Sequence, residues 1–295
     1  MPVSVLARTL RGIEWIARDE VRSHLGVDRI ELGHRELRFT VPELVPELLE
    51  LGTVDDVFEV LAEVDGVTRR RESLGRLASL DLPVATTFDV TASFLGKRNY
   101  NRFELEDAVA AAVDGTRVAR GGEVSLRVHV VGEVATIAAR IAERPLHRRA
   151  YRVATVPGSV HPPLARALAL LAGEPFVDPF CGAGTIPIEG ALAGLETRGS
   201  DIDPRAVESA RRNATAAGVE VALRIAEASS IGEADCIVTN PPWGRALPAG
   251  PEPPRARRLV LLTEERPSLA GILHQQAVRV HGALATITVA GRRSM

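Results

Sequence analysis

The chain has 295 residues, 45% of them hydrophobic, and a formal net charge of −2. That balance suits two modest folded cores and excludes a low-complexity or disordered chain. The two cysteines, Cys181 and Cys236, fall inside apolar segments and form no metal-ligand cluster, and no apolar run approaches the length of a membrane span. The opening residues carry no charged-then-apolar leader, so the cytoplasm is the expected compartment.

In chain order, residues 3–10 are predicted as a strand, 13–25 as an amphipathic helix and 29–40 as a hairpin-like pair. Residues 42–51 are predicted as a helix ahead of a strand over 57–64. Such an order suggests a small α+β unit of ferredoxin-like type. Ile13, Ile16, Ala17 and Val21 share one helical stripe and are candidate core. Trp15 lies about 200° around the helix from Ile13 and is read as packing against a neighbouring element. A second unit is expected from a strand over 87–92, a helix over 103–113, and strands over 123–131 and 135–141.

Cations concentrate in this half and just after it. Arg69, Arg70 and Arg71, then Lys97, Arg98 and Arg102, then Arg144, Arg148, Arg149 and Arg152 are interleaved with Tyr100, Phe103 and Tyr151. That pattern suits phosphate contacts with occasional base stacking, despite the slightly negative total. Lys97 is the single lysine, so arginine is also the default cation of the chain, and each cluster has a solvated-face reading. His147 and His161 flank the expected linker; His161 is read as an exposed loop histidine, with contact to RNA or cofactor as the alternative.

Residues 162–171 are predicted as a helix stopped by Gly173 and leading into a strand at Phe176 and Val177. The strand runs into Asp178, Pro179, Phe180, Cys181, Gly182, Ala183, Gly184 and Thr185. Two glycines free to take positive φ let backbone approach a ligand, and Thr185 to Ile188 can start a helix. The acid four residues before the first glycine and the missing third glycine argue against a pyrophosphate and for an adenosyl amino acid. Cys181 is read as a small packing residue.

About twenty residues on, Asp201 falls at the expected end of the next strand, where ribose hydroxyls are bound in doubly wound sheets. Ile202 and Asp203 follow, then a helix over 204–217 with proline at its start and Gly218 as its stop. The next apolar strand breaks into Asn240, Pro241, Pro242, Trp243 and Gly244. Two successive prolines make that loop stiff. The Asn240 side-chain oxygen and the Pro241 carbonyl are placed to accept the two hydrogens of an exocyclic amine, and Trp243 to stack on its base. Together the loops point to methyl transfer from S-adenosylmethionine to a planar nitrogen.

These motifs resemble the class I, S-adenosylmethionine-dependent methyltransferases and, among them, the THUMP-containing RNA guanine-N2 methyltransferases. Residues 96–107 resemble the THUMP stretch that precedes a helix, and residues 144–152 the segment leading into the catalytic domain. The resemblance implies a C-terminal Rossmann-like α/β methyltransferase domain (161–295), a linker (146–160) and an α+β ferredoxin-like and THUMP RNA-binding region (1–145). It implies that Asp178, Phe180, Gly182, Gly184, Thr185, Asp201, Ile202, Glu227 and Asn240 hold S-adenosylmethionine, and that Asn240, Pro241, Pro242 and Trp243 form the catalytic loop. No metal is expected. The implied substrate is RNA, with tRNA ahead of ribosomal RNA. Adenine N6 in nucleic acids, glutamine amides in proteins and a non-catalytic role in RNA binding are the alternatives.

Two features depart from the family pattern. Glu227 stands where a shorter acid usually contacts adenine. Residues 245–257 hold four prolines and a glycine where a helix is usual, which excludes that helix. A strand over 258–263, a helix near 267–276 and strands near 278–281 and 285–290 are expected to close the sheet. The missing helix predicts an under-covered apolar face, buried by a second copy of the chain or by the N-terminal half.

Overall fold

The computed structural model describes residues 2–82, 85–244, 254–280 and 283–291. The first half gives β1 (Val3–Thr9), α1 (Glu14–Leu25), β2 (Ile30–Gly33), β3 (Glu36–Val41), β4 (Val54–Val64), α2 (Gly75–Ala78) and β5 (Thr87–Phe94). It continues with α3 (Arg102–Ala110), β6 (Thr116–Arg117), β7 (Val124–Val131) and β8 (Val134–Arg140). These strands form one eight-stranded sheet, β2-β3-β1-β4-β8-β7-β5-β6, where sequence reasoning expected two modules. Local chemistry sets the helix ends. The Asn101 side chain accepts the Phe103 and Glu104 N–H groups while Glu104 reaches back to the Asn101 N–H, a reciprocal cap that starts α3.

The helix expected over 42–51 does not form. Only a single tight turn, Pro46–Glu50, is present, because Pro46 has no N–H to donate and its ring obstructs the turn before it.

The second half gives α4 (Pro162–Ala172), β9 (Phe176–Asp178), α5 (Thr185–Leu192), β10 (Thr197–Asp201), α6 (Pro204–Ala217) and β11 (Ala222–Ile225). Then follow β12 (Ala234–Thr239), β13 (Ala256–Thr263), β14 (Ile272–Val280) and β15 (Ala283–Gly291). They form a seven-stranded sheet ordered β11-β10-β9-β12-β13-β15-β14. The first five strands of that order are parallel, and β15 runs antiparallel between β13 and β14. The strand order reverses between β9 and β12. In such sheets ligands sit outside the carboxyl ends of the strands at that reversal.

The expected helix near 267–276 is absent, and the strand expected near 278–281 starts earlier. From Ile272 the chain is already β14, paired along β15 from Ala290 back to Ala283. The Gly271 carbonyl, at positive φ, accepts the Gly291 N–H at 2.9 Å. A long complementary strand thus overrides the local spacing that favoured a helix. Most of the proline-rich connection, residues 245–253, lies outside the described residues, as does His281. β13 begins at Ala256, two residues before its expected start.

The sheet face expected to be bare is closed within the chain. Val238, Val260 and Ile287 lie in one core with Ile13, Ile16, Leu164 and Leu168 of α1 and α4, and Trp15 packs against that core. On the opposite face Ile237, Leu261 and Thr288 are also buried. By compactness the chain divides into Met1–Ala7, Arg38–Leu49 and Asp56–Glu143 as one unit, and Arg8–Leu37, Glu50–Asp55 and Arg144–Met295 as another. The second unit holds α1 because its apolar stripe belongs to the core of α4. Among the described residues no helix is long and apolar enough to cross a membrane.

Candidate functional site

β9 delivers Asp178 into the sheet interior, 1% exposed. Its carboxylate accepts the Phe180 N–H at 3.0 Å and the Thr239 hydroxyl at 2.5 Å, which ties the glycine loop to the end of β12. Burial pushes the Asp178 carboxyl up to about 7; the two hydrogen bonds oppose the rise and the nearby Asp201 adds to it. This side chain shapes the loop from inside. Beyond it Cys181 donates its N–H to the Ser200 carbonyl at 2.9 Å, and Gly184 to Cys181 at 2.8 Å. Gly182 and Gly184 both sit at positive φ. A Cβ on Gly184 would lie 2.9 Å from that of Ala210, so the start of α5 rests on α6 only because this residue is glycine.

Asp201, at the end of β10, accepts the Gly182 N–H and the Asp203 N–H, each at 2.9 Å. Its carbonyl accepts the Ala226 N–H at 3.0 Å, which brings Glu227 beside it. Glu227 is exposed, and Ile202, next to Asp201 in the chain, is 67% exposed. Phe180 is half-buried and Thr185 buried at the first turn of α5.

Asn213 escaped sequence reasoning. From α6 its side chain accepts the Ala154 N–H and donates to the Ala154 and Ala183 carbonyls, all at 2.9 Å. It thereby pins the segment entering this domain onto the glycine loop. Its place on the helical stripe of Ala206, Val207, Ala210 and Ala214 was the signal.

β12 ends at Thr239 and hands the chain to Asn240. The Asn240 amide nitrogen donates to the Gly158 carbonyl at 3.4 Å, whereas its oxygen Oδ1 is buried with no partner among the described residues. A buried acceptor left unpaired is costly unless something else fills it. Pro241 and Pro242 are half-buried. Trp243 packs against the core and donates its indole N–H to the Leu262 carbonyl at 3.3 Å, so its ring is anchored. The structure thus brings Asp178, Gly182, Gly184, Asp201 and Asn240 to one end of the parallel strands, with Glu227 at the margin.

The basic clusters divide. Tyr100 and Tyr151 are buried and offer no stacking face, while Phe103 is 56% exposed with the Arg102 guanidinium 4.6 Å over its ring. Arg98 is spent on the Val67, Leu95 and Gly132 carbonyls. Arg149 and the Tyr151 hydroxyl both bond the fully buried Glu189 at 2.8 Å, and Arg166 approaches it at 3.4 Å. The linker arginine is therefore a structural ion partner; Arg69, Arg70, Lys97, Arg144 and Arg148 stay exposed. His161 is not a free loop residue either, since its Nε2 lies 2.7 Å from the Asp55 carboxylate. Cys181 and Cys236 are free, buried packing residues, and burial pushes the Cys236 thiol up to about 12.

Residues 149–256 match the family model described as UPF0020, RMKL-like, methyltransferase domain. The chain is 32% identical over 268 residues to a tRNA (guanine(6)-N2)-methyltransferase of Thermus thermophilus, covering 82% of this chain and 78% of that one. It is 25% identical to a ribosomal RNA large subunit methyltransferase K/L of Aliivibrio fischeri over 83% of this chain, yet spans only 45% of that longer protein. The crystal structure of TrmN from Thermus thermophilus superposes with a TM-score of 0.80 at 27% identity, over 98% of this chain and 99% of that one.

Proposed function

The chain belongs to the family of S-adenosylmethionine-dependent RNA guanine-N2 methyltransferases with an RMKL-like catalytic domain, and we propose that it methylates a guanine of tRNA. The observation that carries the acceptor assignment is the buried, unpartnered Asn240 Oδ1 on a two-proline loop. A guanine N2 amine has two hydrogens to give, and this oxygen with the Pro241 carbonyl takes both and turns the nitrogen lone pair toward the glycine loop. Removing the amine from conjugation in this way makes it a nucleophile, and holding it there converts a bimolecular encounter into a positioned one. Trp243 stacks on the base taken out of its stack.

The glycine loop suits the cofactor, because two positive-φ glycines bare their backbone and Ile202 offers an apolar face beside Asp201. When bound, S-adenosylmethionine supplies the methyl group. Gly182, Gly184, Phe180 and Thr185 frame it, Asp201 takes its ribose, Ile202 and Glu227 its adenine, and Asn240 closes its methyl end. Asp178 contributes through the loop that it shapes.

The tRNA reading is supported by length: the chain runs along 78% of the tRNA-modifying relative but 45% of the ribosomal one. We read residues 1–145 as the ferredoxin-like and THUMP region that carries the RNA, 146–160 as the linker and 161–295 as the catalytic domain. Two free buried cysteines suit a reducing compartment, and we place the protein in the cytoplasm. The test is transfer of a labelled methyl group to separate tRNA and ribosomal RNA fractions from cells lacking this gene. N2-methylguanosine in the tRNA fraction is the expected product; label confined to ribosomal RNA or to adenine would overturn the reading.

A further inference from the structure

An asparagine amide is nearly symmetric in shape and opposite in polarity at its two ends, so a half-turn about its last bond exchanges an acceptor for two donors. One of the two settings serves an incoming amine. With Oδ1 outward the amine hydrogens are accepted; with Nδ2 outward, donors face donors. Two features set the choice at Asn240.

The first is in the loop itself. Asparagine side-chain oxygens commonly accept the backbone N–H two residues on, the local bond of an Asx turn. Here that position is Pro242, and Pro241 precedes it, so neither residue has an N–H to give. The double proline denies Oδ1 its usual local donor, in keeping with an oxygen that is buried and has no partner among the described residues.

The second feature lies 82 residues earlier in the chain, where the Gly158 carbonyl accepts the Asn240 amide nitrogen at 3.4 Å. A carbonyl has no hydrogen to give, so it takes the nitrogen end and turns the oxygen away. That carbonyl is held from three sides. Upstream, the Asn213 side chain bonds both the N–H and the carbonyl of Ala154, each at 2.9 Å. Within the turn, the Ser159 hydroxyl donates to the Val156 carbonyl at 2.7 Å and accepts the Val156 N–H at 3.4 Å. Downstream, Val160 is buried in one core with Leu164 and Leu168 of α4. Gly158 sits at φ +78°, which glycine reaches without strain. The same turn meets the cofactor loop, since a Cβ on Gly182 would lie 3.3 Å from a Val156 methyl group.

We propose that residues 156–159 are the positioning element of the catalytic loop, with the Gly158 carbonyl fixing the Asn240 amide so that Oδ1 faces the acceptor amine. This assignment rests on the methyl-transfer reading. Gly158 and Ser159 are positioning residues that act through Asn240. The test uses the full chain with Ser159→Ala, which removes the hydroxyl closing the turn, and Ser159→Thr, which keeps it. Gly158→Ala is a second route, because its Cβ would meet open space and strains the turn through φ alone. Ser159→Ala and Gly158→Ala should each slow single-turnover methyl transfer to tRNA by about three- to tenfold, the scale of one neutral hydrogen bond, with cofactor affinity and the KM for tRNA within about twofold of wild type. Ser159→Thr should restore the rate. In an Asn240→Ala background, Ser159→Ala should have no further effect, because the amide it orients is gone. An unchanged rate in both turn variants, or the same fold loss with Asn240 and without it, would overturn the positioning role.

A second readout needs no turnover. In nitrogen-15 spectra the Asn240 side-chain NH₂ is assigned by its loss in Asn240→Ala, and the hydrogen facing Gly158 should exchange with solvent more slowly than its partner. That difference should vanish in Ser159→Ala. Equal exchange of the two hydrogens in the wild type would overturn the positioning role even where methyl transfer to RNA is found. A Ser159-dependent difference in a chain that methylates no RNA would leave the positioning standing and overturn the methyl-transfer reading instead.

Discussion

The two loops at the end of the parallel strands are built on opposite plans. In the glycine loop the polar groups are satisfied from within: Asp178 by Phe180 and Thr239, Asp201 by Gly182 and Asp203, and Asn213 by Ala154 and Ala183. In the Asn240 loop two prolines stiffen the backbone and the key acceptor is left empty. A loop that satisfies itself fixes a shape for a cofactor held largely by backbone. A loop with an unfilled acceptor leaves room for a donor from outside, and the methyl acceptor is the donor we propose for it.

Breaking the second loop should have the largest effect. Asn240→Ala removes the waiting acceptor and is expected to slow single-turnover methyl transfer by about a hundred- to a thousandfold, the scale for losing one positioned hydrogen-bonding group. Calorimetry should find its cofactor affinity within about threefold of wild type, since Asn240 is one contact of many at the cofactor's methyl end; a parallel loss of both would mean that Asn240 serves the cofactor rather than the acceptor. Breaking the first loop should reverse that split. Asp201→Ala releases the Gly182 and Asp203 N–H groups together, and cofactor affinity is expected to fall at least tenfold. Unaltered affinity in that variant would remove the ribose assignment.

The smallest effect concerns pH. The Asp178 carboxyl is raised to about 7 from an ordinary value of 3.8, so the folded chain retains a proton that the unfolded chain releases. That contribution to stability is fully present below about pH 4 and is lost as pH rises to about 7. Asp178→Asn stays neutral throughout. Its stability relative to wild type, read from denaturant midpoints, should therefore improve between pH 5 and pH 8, and a constant difference would mean that Asp178 is ionised across the range.

The sequence made the shape of the glycine and double-proline loops legible because their chemistry is local. Glycines at 182 and 184, an acid at a strand end and a double proline after a strand each dictate backbone shape within a few residues. Long-range contacts hid the rest. The strand at Ile272–Val280 exists because β15 pairs with it, and nothing within the segment itself requires it. Arg149 and Tyr151 read as an RNA-facing pair until Glu189, far along the chain, is seen to engage both.

The most direct measurement is a crystal structure of the full chain with S-adenosylhomocysteine and a guanosine-containing oligoribonucleotide. The guanine N2 is predicted within hydrogen-bond distance of Asn240 Oδ1, with the base stacked on Trp243 and the cofactor sulfur facing the amine. A guanine bound elsewhere, or an Asn240 oxygen turned into a bond with the protein itself, would contradict the account.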